Sequence, residues 1–505
     1  MTAPTPSNDV DTADGPALVR RVGLTLALGG LLVIIDTTIA VVATPAIIAD
    51  LRSDLPTVQF VTIGYVLAIV AVIPLSGWLA TRWGAKRVYL VALAAFTSAS
   101  LLCSVAWNIE SLIAFRVLQG LGGGLINPLG QAIALRTAPR ESKGRVMSLL
   151  GLPVVVGPVL GPLVAGALVD AASWRSIFII NIPLGILAFV LCRRVLPADS
   201  ASSVTDLRGA TAPERRTAGS ILTFLLVPLG GASLVLGSMR VSEAGQIDLL
   251  GVAMIATGLL VIAGSAAASL RDRAAILQLR VLEHRPLALG AVILLFFCAG
   301  FFGTASILPV LVQGVRGDSA LMTGALEIPM ALATGLVLQL ATRMIDRRPP
   351  WAIVVPALAV SLVGLVALGW AVSSNSSYGL IIVATVILGA GAGAVIMPTM
   401  TMATRDLDGD DISAATTILA MVTQLAGAIG AAITAGIMTQ LLNLRVDSLD
   451  GGGVGELMRQ TESARTGVVA EAALATGTSY AFAVVMTTIA LGLALRLVRS
   501  SPTPR

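Results

Sequence analysis

Three ionisable residues stand inside stretches built otherwise from Leu, Ile, Val, Ala and Gly: Asp36 in IIDTTIA, Arg116 in AFRVLQG and Glu327 in GALEIP. A charge in such surroundings is costly and is usually kept for work, such as carrying a proton or meeting a cation. Low dielectric makes a carboxyl hold its proton more tightly, and a nearby guanidinium loosens it, so a proton and a substrate cation can compete for one acid. The other reading of Asp36 with Arg116 is a permanent ion pair that only fastens two helices. Further chemistry is poorly provided for. Cys103, Cys192 and Cys298 stand alone in separate stretches, without metal or redox spacing. His284 is the sole histidine and lies beside Glu283 and Arg285 in a polar connection, so a zinc site or histidine relay lacks partners. No G-x-x-x-x-G-K-[ST] run exists to cradle ATP phosphates. The expectation is a non-enzyme without cofactor or metal, driven by an ion gradient or by the gradient of its substrate.

The elements that must position these residues are set by composition. The chain has 505 residues, 56% hydrophobic and 12% charged, with a mean hydropathy of +0.91. A soluble protein carries about 25% charged residues. The apolar residues come in blocks of about 20, the length needed to cross a hydrocarbon core. A cytosolic enzyme, a secreted disulfide scaffold and a disordered protein are excluded. The basic residues punctuate the blocks instead of forming a polar face, so the net charge of +5 is no nucleic-acid footprint. Fourteen helical spans are expected, at 22–43, 58–80, 88–107, 110–134, 146–168, 176–195, 219–238, 249–269, 287–311, 322–344, 352–372, 378–402, 413–437 and 479–497. The blocks are too long and too uniformly apolar for barrel strands.

Placing the N-terminus in the cytoplasm puts 25 of the 33 basic residues in inside segments and 7 in outside loops, which sets the orientation. Both termini are then cytoplasmic in a cell-membrane protein. On that orientation Asp36, Arg116 and Glu327 each lie about two turns from the outer ends of spans 1, 4 and 10. Trp78, Trp83, Trp107, Trp174, Trp351 and Trp370 fall near span ends, where the ring prefers the interface. Residues 1–19 are polar and read as a disordered tail, and the outside segment 438–478 as acidic and Gly-rich.

The chain also repeats itself. ATRWGAKR (Ala80 to Arg87) after span 2 answers ATRMIDRR (Ala341 to Arg348) after span 10, and GLGGGLINP (Gly120 to Pro128) answers GAGAGAVIMP (Gly389 to Pro398). Spans 1–6 thus map onto spans 9–14. The expected organisation is a cytoplasmic tail 1–21, a six-helix bundle 22–195, a linker 196–218, an inserted helix pair 219–269, a linker 270–286, a second bundle 287–497 and a tail 498–505. Two pseudo-symmetric bundles around a midplane site are the signature of an alternating-access carrier.

Two further motifs have a mechanical reading. In GLPVVVGPVLGPLVAG, small residues at Gly151, Gly157 and Gly161 allow close helix approach, while Pro153, Pro158 and Pro162 bend the span. That predicts a tightly packed seam that limits ion leak. In SGWLATRWGAKR, Gly77 and Gly84 allow a tight loop, and Arg82, Lys86 and Arg87 are placed to pair with carboxylates or helix ends as a cytoplasmic latch. The four phenylalanines Phe296, Phe297, Phe301 and Phe302 are read as packing or lipid-facing ahead of ligand stacking.

The run 31–497 resembles the major facilitator superfamily, specifically its fourteen-spanning drug:proton antiporter branch. The residues that carry the resemblance are IDTTIAVVATP (35–45), GWLATRWGAKR (77–87), RVLQGLGGG (116–124), GLPVVVGPVLGP (151–162) and SWRSIFIINIPLG (173–185). The resemblance implies rocker-switch exchange of a hydrophobic, often cationic compound for protons, by a protein expected to be a monomer in the lipid bilayer. It assigns Asp36 and Arg116 to coupling and the proline-rich span to antiport. Glu327 matches an acid found in span 10 of some branch members. Two positions depart from the pattern: Thr81 replaces the usual acid of the latch, and Val41 a common Asn. Other functions open to such a chain are export of an endogenous lipid or secondary metabolite, proton-coupled nutrient uptake, and non-transporting sensing.

Overall fold

A backbone in lipid must satisfy its own hydrogen bonds, and the described residues do so as helix joined by short turns. The computed structural model describes residues 15–138, 143–197, 226–234, 236–237, 240, 248–271, 279–345, 349, 351–405, 407, 410–446, 453–459 and 462–500, with no strand among them. The first group of helices comprises α1 (Gly15–Val42), α2 (Thr44–Leu51), α3 (Leu55–Val72), α4 (Ser76–Trp83), α5 (Ala85–Ser104), α6 (Ile109–Thr137), α7 (Lys143–Ala171), α8 (Ser176–Ile179) and α9 (Asn181–Val195). After α10 (Leu249–Arg271) the second group follows: α11 (Arg285–Gly303), α12 (Ala320–Ile345), α13 (Trp351–Ser373), α14 (Tyr378–Gly393), α15 (Ile396–Thr404), α16 (Asp410–Arg445), α17 (Gly453–Arg459), α18 (Glu462–Thr478) and α19 (Tyr480–Ser500).

Thirteen helices among the described residues are long and apolar enough to cross a membrane. The remaining expected span, 219–238, lies partly outside the described residues. Its helical residues 226–234 and 236–237 pack on α10, where Gly230 meets the Gly258 carbonyl at 3.0 Å and Gly237 that of Gly251 at 2.6 Å, measured from an ideal Cβ position. Of the expected tail, 1–14 lies outside the described residues, and α1 begins at Gly15, earlier than the polar composition suggested. Most of the linker 196–218 also lies outside. The 438–478 segment is largely helical, because α16 continues to Arg445 and α17 and α18 follow.

Helix ends follow local chemistry. Asp54 caps α3 by accepting from Thr57 N at 2.7 Å, and Asn108 with Ser111 forms a reciprocal capping box on α6. The expected loop Ser76–Arg87 is helical up to Trp83. Only Gly84, at φ 91°, breaks the path before α5 starts at Ala85. Gly77 sits inside α4, with open space where a Cβ would be.

The packing partners repeat between the groups. In the first, α1 packs on α7, α3 on α6, α5 on α6 and α5 on α9; in the second, α11 packs on α16, α12 on α14, α13 on α14 and α13 on α19. Between the groups α7 packs along α12, and α3 along α16. Residues 226–234 lie over the second seam, with Gly231 facing Leu67 and Leu425.

Contacts between the groups extend to the end of the bundle remote from Gly15 and Ser500, called here the distal end. Val454 and Leu457 of α17 are buried there in one cluster with Ile47 and Ile48 of α2 and Leu55 and Val58 of α3. At the opposite end α4 packs on α5 and α6, within its own group.

Five of the six tryptophans are exposed near helix ends. Trp174 is 2% exposed instead, because its indole has a polar partner on the protein. Asp50 of α2 accepts from Trp174 Nε1 at 2.8 Å and from Arg175 Nη1 at 2.6 Å, while Arg175 Nη2 reaches the Ala106 carbonyl at 3.1 Å. Arg175, then the indole donor, hold the Asp50 carboxyl below its ordinary range. Such a group contributes stability above its unfolded pKa, about 4, and loses it as pH falls through the lower folded value. Because both side chains are partly exposed, the pair contributes only about 0.2–1 kcal/mol. Asp50→Asn is expected to lower the melting temperature of the purified protein modestly at neutral pH, with the gap to wild type closing progressively as pH falls below the ordinary carboxylate range of about 4. A gap unchanged by acid would assign the loss to packing.

Candidate functional site

The helices of the first group converge on one buried polar knot. Asp36 of α1 and Arg116 of α6 are both 0% exposed, and Arg116 Nη1 lies 2.6 Å from Asp36 Oδ2. The other carboxylate oxygen, Oδ1, accepts from Gln119 Nε2 at 2.9 Å and Asn181 Nδ2 at 2.7 Å. Both amides also donate to Ser100 Oγ, at 3.2 and 3.1 Å, and that hydroxyl donates to the Phe178 carbonyl at 3.1 Å. Arg116 further donates through Nε to the Val61 carbonyl at 3.0 Å and through Nη1 to Gln119 Oε1 at 2.8 Å. Its guanidinium lies 4.2 Å from the Tyr65 ring centroid and 5.6 Å from that of Phe178. Helices α1, α3, α5, α6, α8 and α9 thus all contribute to or face one ion pair.

The groups around Asp36 are all of one kind. Every group bonded to Asp36 presents an N–H, and none accepts from it. Three convergent donors suit a carboxylate and oppose a carboxylic acid, whose own proton would face a donor. Arg116 Nη2 and Asn181 Oδ1 remain buried without a partner, so the knot is not fully satisfied. Low dielectric makes each such unpaired polar group costly.

Glu327 stands apart. It belongs to α12 in the second group, and no hydrogen bond or ion pair engages its carboxylate among the described residues. Leu332, Leu336 and Leu340 are exposed on the outer face of α12. At 100° per residue Glu327 points roughly 140–180° away from them. Its neighbours on that inner side, Met330 and Thr334, face Gly389 of α14. Glu327 nevertheless keeps part of its surface open.

The remaining sequence candidates fall into two places. In α7, Gly157 meets Ile34 and Gly161 meets Thr38 of α1, whereas Gly166 meets Ala320 and Leu321, and the Pro162 carbonyl meets Gly324, of α12. The proline-rich span therefore touches both groups along two faces and stays helical through Pro153, Pro158 and Pro162. Gly151 is exposed, with open space around it. At the other end, Lys86 donates to the Leu196 carbonyl at the end of α9, Arg82 and Arg87 are exposed, and Thr81 Oγ1 bonds back to the Trp78 carbonyl at 2.8 Å. Phe297 is buried and stacks on Phe301 at 5.7 Å, while Phe302 is 40% exposed.

Sequence reasoning missed Gln119, Asn181, Ser100 and Tyr65. Two signals were present. Gln119 follows Arg116 at i+3 and so shares its helix face, and Asn181 is an amide within an apolar span.

The model of the Major Facilitator Superfamily matches residues 26–431. The chain is 34% identical to the multidrug resistance protein B homolog of Mycobacterium tuberculosis, over 84% of this chain and 77% of that protein. It is 32% identical to the putative multidrug resistance protein MdtD of Cronobacter sakazakii, over 87% and 91% of the two chains. Among solved structures, a bacterial homolog of the human lysosomal transporter Spinster, inward-facing and occupied, aligns with a TM-score of 0.64 at 18% identity, covering 97% of this chain and 98% of that one. The peptide-transporter-family protein PepTSo aligns with the same TM-score at 13% identity, over 95% and 99%. With its repeated packing, its thirteen described spans and this match, the chain belongs to the Major Facilitator Superfamily and is a multi-span membrane transporter.

Proposed function

We propose that the chain is a proton-coupled antiporter that exports hydrophobic, cationic small molecules by alternating access. The two units that rock are the bundles 22–195 and 287–497, with residues 226–234 of the inserted pair against one seam. The observation that carries this reading is the donor set around Asp36. Protonating Asp36 places an O–H against N–H groups of Gln119, Asn181 or Arg116, so a proton can enter only as the knot rearranges. Those donors sit on α6 and α9, which makes proton binding and helix movement one event. Two sites then divide the work. Asp36 with Arg116 handles the proton inside the first bundle, and the unpaired Glu327 meets the positive charge of the substrate between the bundles. The names of the two curated relatives favour a drug-like cargo. With the N-terminus in the cytoplasm, the distal end faces outward, and closure there leaves the substrate path open to the cytoplasm.

The test uses everted membrane vesicles acidified by respiration, with a pH-sensitive dye. Adding tetraphenylphosphonium or ethidium is expected to dissipate the proton gradient in vesicles holding this protein and not in those lacking it. Failure of a broad panel of lipophilic monovalent and divalent cations to do so would overturn the reading.

A further inference from the structure

The distal contact between the two helix groups is an exchange of helix caps. Helix α12 begins at Ala320 with Ser319 as its own cap: Ser319 Oγ accepts from Met322 N at 3.1 Å, and the Ser319 carbonyl from Thr323 N at 3.3 Å. That leaves the first two amides of the helix unserved by the local chain. Both are taken by a residue of the other group. Asp170, near the end of α7, accepts from Ala320 N through Oδ1 at 3.0 Å and from Leu321 N through Oδ2 at 2.8 Å. The reverse exchange lies alongside. Gln313, in the helical turn before α12, donates through Nε2 to the carbonyl of Val42, the last residue of α1, at 3.0 Å, and to Thr323 Oγ1 at 3.2 Å. Gly166 against Ala320 and Leu321, and Gly324 against the Pro162 backbone, let α7 and α12 approach closely enough for the carboxylate to reach.

We infer that Asp170 is a positioning residue of the transport cycle, which holds the distal gate shut by capping the N-terminus of α12 across the bundle interface, with Gln313 as its counterpart on α1. The inference rests on the alternating-access reading above and adds the bonds that set the balance between its states. A carboxylate on two free amides at the positive end of a helix is a directional contact. When the gate opens, those amides pass to water and Asp170 loses both bonds at once. Closure therefore depends on register: a shift of α12 by one residue would offer Asp170 one amide in place of two. These directional bonds give the gate a defined stop.

The experiment uses the full chain in nanodiscs, with spin labels at Ala172→Cys and Ser377→Cys. Both positions are exposed at the distal end, and Cys103, Cys192 and Cys298 are buried away from the label. Double electron–electron resonance reads the distal separation at acid and neutral pH, with and without tetraphenylphosphonium. The unsubstituted background is expected to populate a short and a long separation, with the short one dominant in at least one condition. Asp170→Ala is expected to shift the ratio about 5-fold toward the long separation, the effect of losing one helix cap. Asp170→Asn, which keeps one acceptor and loses the charge, should fall between, and Asp170→Glu should restore part of the short population. Transport by Asp170→Ala should lose turnover while its KM for the cation stays within about twofold, because Glu327 is untouched. If Asp170→Ala does not fold, Asp170→Asn carries the test alone. Two separations in the background with no shift in the variant, or a shift toward closure, would overturn the role of Asp170. A single separation in every condition would instead overturn alternating access itself.

Discussion

Asp36→Asn is expected to abolish proton-coupled exchange, and Arg116→Ala to abolish it and also destabilise the protein by about 3–5 kcal/mol, the cost of stranding one charge of a buried pair. The two effects come from different properties of the knot. Transport needs an acid that can alternate between bare and protonated forms, and the amide of Asn cannot. Stability needs charge balance in a site where both side chains are fully buried. A double variant, Asp36→Asn with Arg116→Gln, separates them. With both charges gone the desolvation cost goes too, so the melting temperature should recover most of what Arg116→Ala lost while exchange stays absent. Gradient dissipation in everted vesicles and thermal unfolding in detergent read the two quantities. If the double variant exchanged protons for cations at the native rate, the pair would be a fastener of α1 to α6 and nothing more.

Glu327→Gln is expected to reduce kcat/KM for cationic substrates about 10- to 100-fold, the range of a charge-assisted contact, and to leave neutral hydrophobic substrates nearly unaffected. The substitution keeps size and polarity, and among the described residues no hydrogen bond or ion pair engages the carboxylate, so folding should be unchanged. This contrasts with Asp36, where every substitution disturbs a shared network. Paired uptake measurements in everted vesicles, with a lipophilic cation and a neutral analogue of similar shape, distinguish loss of charge recognition from general damage. Equal losses for both compounds would remove Glu327 from cation recognition and return it to packing.

The span pattern was legible because hydropathy acts residue by residue and needs no partner: blocks of the right length become helices wherever the chain folds. The pairing of Asp36 with Arg116 was legible only as one of two readings, since spacing within a helix places a side chain on a face but does not choose the facing helix. Gln119 was within reach of the same logic, one turn after Arg116. Asn181 was visible as an amide within an apolar span, but its partners and those of Ser100 were not, because the two join the knot through the packing of α5 and α9 on their neighbours, a contact far apart in sequence. The segment Ser76 to Trp83 misled, since glycine and basic residues suggest a loop, whereas helical bonding in a bilayer setting carries through Gly77 and yields only at Gly84.

Taken alone, then, the amino-acid order determined that this is an all-helical membrane carrier with repeated halves and three intramembrane charges, because burial in lipid penalises each polar group individually and the penalty can be read along one dimension. Which charge is locked and which is free was decided only in three dimensions. Asp36 is surrounded by donors drawn from separate spans, Glu327 lies on an inner face with no partner among the described residues, and Asp170 reaches the amides of a helix some 150 positions away. Hydrogen bonds are short and directional, so their partners are fixed by packing and not by sequence distance.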